Sequence, residues 1–205
     1  MKIGILGESS LAKSLGKKLI DAGVQVVFGV RPDFDTEEIE WKMMNRVYHR
    51  ICPYESAIIQ SDFVLICAEN GYLPEIWVAL KNTDTEDKII IDCTNAGFEK
   101  KLRTSNTQLI KKAAPKAFTF KAFNNLGLDY PKNDTFGVIK ETYFCGEDVP
   151  ERLRVKRLIE LAGFNAIDAG EMSNATLLEA FYHLRTKISW NQNEAQNYHF
   201  KLVSI

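Results

Sequence analysis

The sequence predicts a doubly wound α/β fold: a mostly parallel sheet in a single domain, followed by a C-terminal helix and tail. Three observations carry this. Short apolar runs recur, most plainly Lys2–Leu6, Gln25–Val30, Phe63–Ala68 and Lys88–Cys93, and they read as strands buried on both faces. Amphipathic stretches fall between them, so strand and helix alternate as in parallel crossover units. The chain has 205 residues, enough for one continuous core and little more.

Each element has its own signal. Lys2–Leu6 ends at Gly7, and Ser10–Ala22 follows with Leu11, Leu15, Leu19 and Ile20 on one helical face before Gly23 stops it. Gln25–Val30 is the second strand. Thr36–Arg46 reads as a helix opening on an imperfect capping box at Thr36. Phe63–Ala68 is a strand, Pro74–Leu80 a helix with proline in its first turn, and Lys88–Cys93 an Ile-rich strand. Asn106–Ala113 is expected to be helical and Ala117–Phe123 extended. Leu126–Glu141, with its Gly, Pro, Asn and Asp, reads as a surface excursion. Glu141–Cys145 is a short strand. Pro150–Ala162 is a helix capped by Asp148 and stopped by Gly163, and Asn165–Asp168 is a strand. Ser173 is expected to cap a last long helix whose Leu177, Leu178, Phe181, Leu184 and Ile188 form one stripe. Tyr198–Ile205 alternates like an edge strand in need of a partner. The expected division is residues 1–172 for the main domain and 173–205 for the helix and tail.

Composition narrows the class. Lys and Arg number 26 against 27 Asp and Glu, a net charge of -1, which argues against a nucleic-acid or anionic-membrane surface. No apolar stretch approaches about 18 residues, and the N-terminus lacks the pattern of a signal peptide. The expectation is a cytoplasmic protein with no membrane or nucleic-acid partner. Cys52, Cys67, Cys93 and Cys145 form no C-x-x-C pair, and His49, His183 and His199 fall at no ligand spacing. Reduced, buried thiols and no metal site are expected.

Three motifs carry chemistry. Gly7-Glu8-Ser9-Ser10-Leu11-Ala12 joins the first strand to the first helix, where a dinucleotide pyrophosphate meets a helix N-terminus. Gly7 and Ala12 fit the glycine pattern. Ser9 stands at its second glycine, where a hydroxyl could donate to a phosphate, and a plain tight turn is the alternative. Val30-Arg31 closes the second strand. A guanidinium there suits the 2′-phosphate of NADP(H), and a solvated loop arginine is the alternative. Ala68-Glu69, Thr94-Asn95 and Asn124 end three further strands, where ligands of open α/β sheets lie. Each alone is compatible with turn chemistry. Together they describe a Rossmann-type site for a nicotinamide dinucleotide.

The same residues support a resemblance that covers nearly the whole chain. Val26-Val27-Phe28-Gly29-Val30-Arg31, Ile91-Asp92-Cys93-Thr94-Asn95, Lys121-Ala122-Phe123-Asn124, Cys145-Gly146-Glu147-Asp148 and Asp168-Ala169-Gly170-Glu171-Met172 resemble segments of the deazaflavin (coenzyme F-420)-dependent NADP reductases. They also resemble the cytosolic oxidoreductase domain of the six-transmembrane ferric reductases. The resemblance implies NADP(H) along the strand edge, with its nicotinamide near Thr94, Asn95 and Asn124. It implies hydride transfer between NADPH and a small-molecule acceptor, a flavin or deazaflavin, in a homodimer. Ser9 and Val30 depart from the family pattern. No catalytic residue is assigned, because hydride transfer needs positioning more than proton chemistry. Two rivals stand beside this reading: a dinucleotide-binding or redox-sensing module without turnover, and a structural domain that binds nothing.

Overall fold

The structure is a computed structural model that describes every residue except 36, 38, 40, 44–50, 98–103, 193–197 and 204–205. Among the described residues the strands β1 (Lys2–Leu6), β2 (Gln25–Val30), β3 (Ile51–Pro53), β4 (Phe63–Ile66), β5 (Ile89–Asp92), β6 (Phe118–Lys121), β7 (Glu141–Gly146) and β8 (Asn165–Glu171) form one sheet. Their order is β3-β2-β1-β4-β5-β6-β7-β8. All neighbours pair in parallel except β6 with β7. The connections reverse direction between β1 and β4, and a crevice opens at the carboxyl ends of strands around that point.

The strands are apolar on both sides because both sides are covered. Ile3, Ile5, Phe63, Leu65, Ile89 and Ile91 join one core, against helices α1 (Ser10–Asp21) and α5 (Glu151–Leu161). Leu6, Val64, Ile66 and Ile90 join the other, against α2 (Tyr54–Ile59), α3 (Leu73–Asn82) and α4 (Asn106–Ala113). Alternate residues of each strand point to opposite faces, which is why the runs show no polar alternation. Helix α1 lies close on the sheet at Gly16, where a Cβ would come within 2.3 Å of the Phe28 ring. Helix α6 (Ala175–Asn191) packs beside β7 through Leu178 and Phe181.

Several expectations need correction. Strand β3 and helix α2 were absent from the sequence reading. Three residues carry no periodicity, and β3 exists because it pairs with β2 at the sheet edge, where Pro53 lacks no needed donor. Asp148 does not cap α5; Pro150 sits at the N-cap without a side-chain bond. Ser173 lies inside a 3-10 turn, Met172–Asn174, and Asn174 precedes α6 without a side-chain cap. The single stripe of α6 splits: Leu178 is buried, whereas Leu177 and Leu184 are 65% and 54% exposed. Residues 198–203 form no strand. Instead Phe200 stacks on Phe181 with ring centroids 4.4 Å apart, and His199 bridges Arg185 and the Asn133 carbonyl. The helix expected over Thr36–Arg46 lies largely outside the described residues. Within it, Trp41 is buried edge-on against Phe28 and Phe34.

Candidate functional site

The first loop is built around Gly7. Its φ is +113°, and a Cβ would lie 2.7 Å from the Cys67 carbonyl oxygen and 2.8 Å from Ala68. Only glycine lets β1 turn this close to the end of β4. Ser9 is the N-cap of α1. Its Oγ accepts the Ala12 N–H at 3.1 Å and donates to the Cys67 carbonyl at 2.6 Å. The hydroxyl proton expected to reach a phosphate is thus held by the backbone of the neighbouring strand end. The N–H one residue earlier, that of Leu11, donates at 3.0 Å to the carbonyl of Leu128 in the 126–141 excursion. Ala12 is fully buried beneath, and Ser10 is half-buried at the opening.

At the end of β2, Val30 is buried and Arg31 leaves the sheet. Its guanidinium stacks on Tyr72 at 4.3 Å and lies 3.1 Å from Asp33 through Nε. That approach is off-line, so buried Nε has no hydrogen-bond partner. Burial alone would make Arg31 less basic. Tyr72, Asp33 and Glu8 outweigh it and hold the charge in place. Glu8 reaches across from the first loop to the Arg31 backbone and to Tyr54. The Tyr54 phenol is pushed far up, first by burial and then by Glu8, so it stays a donor.

The other end of the crevice is polar and tightly wired. Asn95 Nδ2 donates to the Asn124 carbonyl, and Asn124 Nδ2 donates to Asn95 Oδ1, both at 3.0 Å. Asn124 Nδ2 also reaches the Leu178 carbonyl at 2.9 Å. Its Oδ1 is buried with no partner. Just before it, Phe123 is held at φ 62°, an unfavourable backbone for a bulky L residue and a sign of local strain. Asn70, one position past Glu69, donates to the Asn95 carbonyl at 2.8 Å, while Glu69 itself points to solvent and Ala68 is buried.

Beneath these residues lies a network in which sequence reasoning assigned a role to Thr94 alone. Lys121 Nζ is fully buried and donates to Asp92 Oδ2 at 2.7 Å, the Thr94 carbonyl at 2.8 Å and Glu179 Oε1 at 2.9 Å. Asp92 also accepts from the hydroxyls of Thr94 and Thr107, each at 2.7 Å. The Thr94 hydroxyl accepts from Asn106 Nδ2 at 2.8 Å, so its proton and one lone pair are committed to the network. Burial alone would lower the basicity of Lys121, but Asp92 and Glu179 outweigh it and raise it. Burial weakens the acid Glu179 despite Lys121. Lys121 stood in a quoted motif, but Glu179 sits alone on a helix face and carried no sequence signal.

Beside the network is a cavity of about 540 Å³ whose lining includes Trp77, Ala96, Asn106, His183, Lys187 and Trp190. His183 Nε2 lies 2.7 Å from the Ala96 carbonyl. All four cysteines are free, and burial pushes the Cys145 thiol up to about 12, which keeps it unreactive. Among the described residues no cluster of His, Cys, Asp or Glu is placed to hold a metal ion, and no helix is long and apolar enough to cross a membrane.

The sheet order and the crevice at the strand ends define a Rossmann-type α/β fold. More particularly, residues 2–96 match the family model of the coenzyme F420-dependent NADP oxidoreductases, which bears out the resemblance drawn from the motifs and its enzyme class. The chain is 24% identical over 177 residues to the human metalloreductase STEAP2, and 23% identical over 191 residues to rat STEAP3. These alignments cover 86% and 92% of this chain but only 35% and 38% of those proteins. A solved structure from Arthrobacter sp. FB24, described as a candidate F420-dependent NADP-reductase, superposes with a TM-score of 0.81 over 100% of both chains at 19% identity. The NADPH complex of a reductive aminase from Aspergillus terreus gives 0.65 at 12% identity, over 93% of this chain and 62% of that one. At these identities the two structures speak for the fold.

Proposed function

We propose that this chain binds NADP(H) across the strand ends and moves hydride between it and a flavin-like or deazaflavin acceptor seated in the cavity beside Ala96. The observation that carries the reading is a pair of buried polar atoms without hydrogen-bond partners: Asn124 Oδ1, and Arg31 Nε, which has only the off-line ion pair with Asp33. They stand at the ends of β2 and β6, four strand spacings apart, or about 19 Å. That span suits an extended dinucleotide. A guanidinium is the donor that a 2′-phosphate wants, and an amide oxygen is the acceptor that a carboxamide wants.

The residues fit the cofactor in role. Arg31 would take the 2′-phosphate and Gly7 would allow a close backbone approach to the pyrophosphate. The Asn95–Asn124 pair would fix the nicotinamide. The cofactor supplies the reducing equivalents when bound. The protein supplies orientation and keeps water out. Lys121, Asp92 and Glu179 would act through Thr94 and Asn95, holding them in place. The experiment is a titration with NADPH and NADH, followed by an assay of NADPH oxidation with FMN, FAD and a deazaflavin. Turnover with one acceptor supports the reading; binding without turnover supports the second reading.

That second reading is a binding or sensing module, and one observation favours it. The Leu128 carbonyl already occupies the Leu11 N–H at the helix N-terminus. A pyrophosphate must displace it, and Ser9 offers no free proton in exchange.

A further inference from the structure

The end of β2 receives its carboxylate from an unusual place. Glu8, in the first loop, accepts the Arg31 backbone N–H at 2.9 Å and the Tyr54 hydroxyl at 3.3 Å through the same Oε1. Glu8 is half-buried, and Tyr54 is buried below it. A second carboxylate, Asp33, stands 3.1 Å from Arg31 Nε. Arg31 is therefore framed by acids, one on its backbone and one on its guanidinium.

In dinucleotide-binding sheets this is where the adenosine ribose lies. A carboxylate there accepts from the 2′-hydroxyl, and a guanidinium there pairs with a 2′-phosphate. This chain holds both groups at one residue. A ribose diol can donate to Glu8. A 2′-phosphate brings up to about two negative charges towards it, and like charges at a partly desolvated site repel far more than in water.

We propose that Glu8 sets the choice of cofactor: it accepts the ribose diol of NAD(H), and it holds the 2′-phosphate affinity that Arg31 supplies below what the guanidinium alone would give. The assignment rests on the dinucleotide reading above and adds a residue that opposes it in part. It follows that the chain discriminates weakly between the two cofactors, and that the discrimination lies in the charge of one loop side chain.

The test measures Kd for NADPH and NADH on the wild-type chain and two variants, with ligand-free melting curves to check folding. Glu8→Gln keeps the shape and an acceptor oxygen for Arg31 and Tyr54 but removes the charge. It is expected to tighten NADPH about tenfold and to weaken NADH a few-fold, because the ribose diol loses its charged acceptor. Glu8→Asp keeps the charge on a shorter stem, and its NADPH-to-NADH ratio should stay within about twofold of wild type. An unchanged ratio in Glu8→Gln, or the same shift in Glu8→Asp, overturns the role of Glu8 and leaves the dinucleotide reading standing. Binding of neither cofactor by any of the three proteins overturns both.

Discussion

At the scale of the residue, Arg31 shows how much of a site one side chain can concentrate. It is the first charge after β2, it stacks on Tyr72, and its Nε is buried without an aligned partner. A charge-assisted contact to phosphate contributes about 1.5–3 kcal/mol net. Arg31→Ala is therefore expected to weaken NADPH roughly tenfold or more while leaving NADH nearly unchanged. Isothermal titration with both cofactors checks this, and an equal loss for both would remove Arg31 from the phosphate site. Ser9 shows the reverse. From the sequence its hydroxyl was free to serve a ligand; in the fold it closes the helix cap and ties the loop to Cys67. The identity of both residues was legible beforehand, but Ser9 finds its acceptor at the end of another strand and Arg31 its stacking partner on a distant turn.

At the scale of the element, a buried cation ties α6 to the sheet beside the packing of Leu178 and Phe181. Lys121 on β6 binds Asp92 on β5 and Glu179 on α6, all three buried. Lys121→Met leaves two carboxylates without their cation, a change that costs about 3–5 kcal/mol. Burial already raises the Glu179 pKa, and losing Lys121 removes what opposes this. The variant's stability should then be greatest below the usual carboxylate range and should fall as pH rises. Urea unfolding at about pH 5 and about pH 8 measures it; equal stability at both would mean that the charge is solvated. The tail supplies a second element-scale case. His199 Nδ1 faces Arg185 Nη1 at 3.0 Å and must be unprotonated there, while Nε2 donates to the Asn133 carbonyl at 3.1 Å. Burial lowers the pKa of His199 and Arg185 adds to this, against the Asn133 carbonyl, Asp134 and Asp129. Because the folded value lies below the unfolded one of about 6.5, the latch is fully stabilising above that pH. Its contribution is lost as pH falls through the depressed value. Protection factors of residues 198–203, which take out the pH dependence of intrinsic amide exchange, should fall on acidification in the wild type and be insensitive to pH in His199→Gln.

At the scale of the whole molecule, α6 leaves Leu177, Leu184 and Trp190 outward, the last 67% exposed. We keep the homodimer as a proposal on this face rather than on the tail, which packs on its own chain. Light scattering at micromolar concentration should give twice the 23.3 kDa chain mass, and Leu184→Glu should return it to a single chain. A wild-type chain of single mass would rule the dimer out. By itself the sequence determined the α/β class, the buried parallel strands and the position of the tight glycine loop between β1 and α1. These follow from local apolar runs and from glycine at a turn, signals that reside in neighbouring residues. Only the tertiary structure decided that β3 exists, that Ser9 serves the backbone, that Leu128 sits on the α1 N-terminus and that Glu8 reaches Arg31. It also gave Glu179 its place beside Lys121, 58 positions away in the chain. The physical reason is common to all of these. A hydrogen bond or an ion pair is chosen by what lies within about 3 Å in space, and that neighbour comes from a different strand or helix.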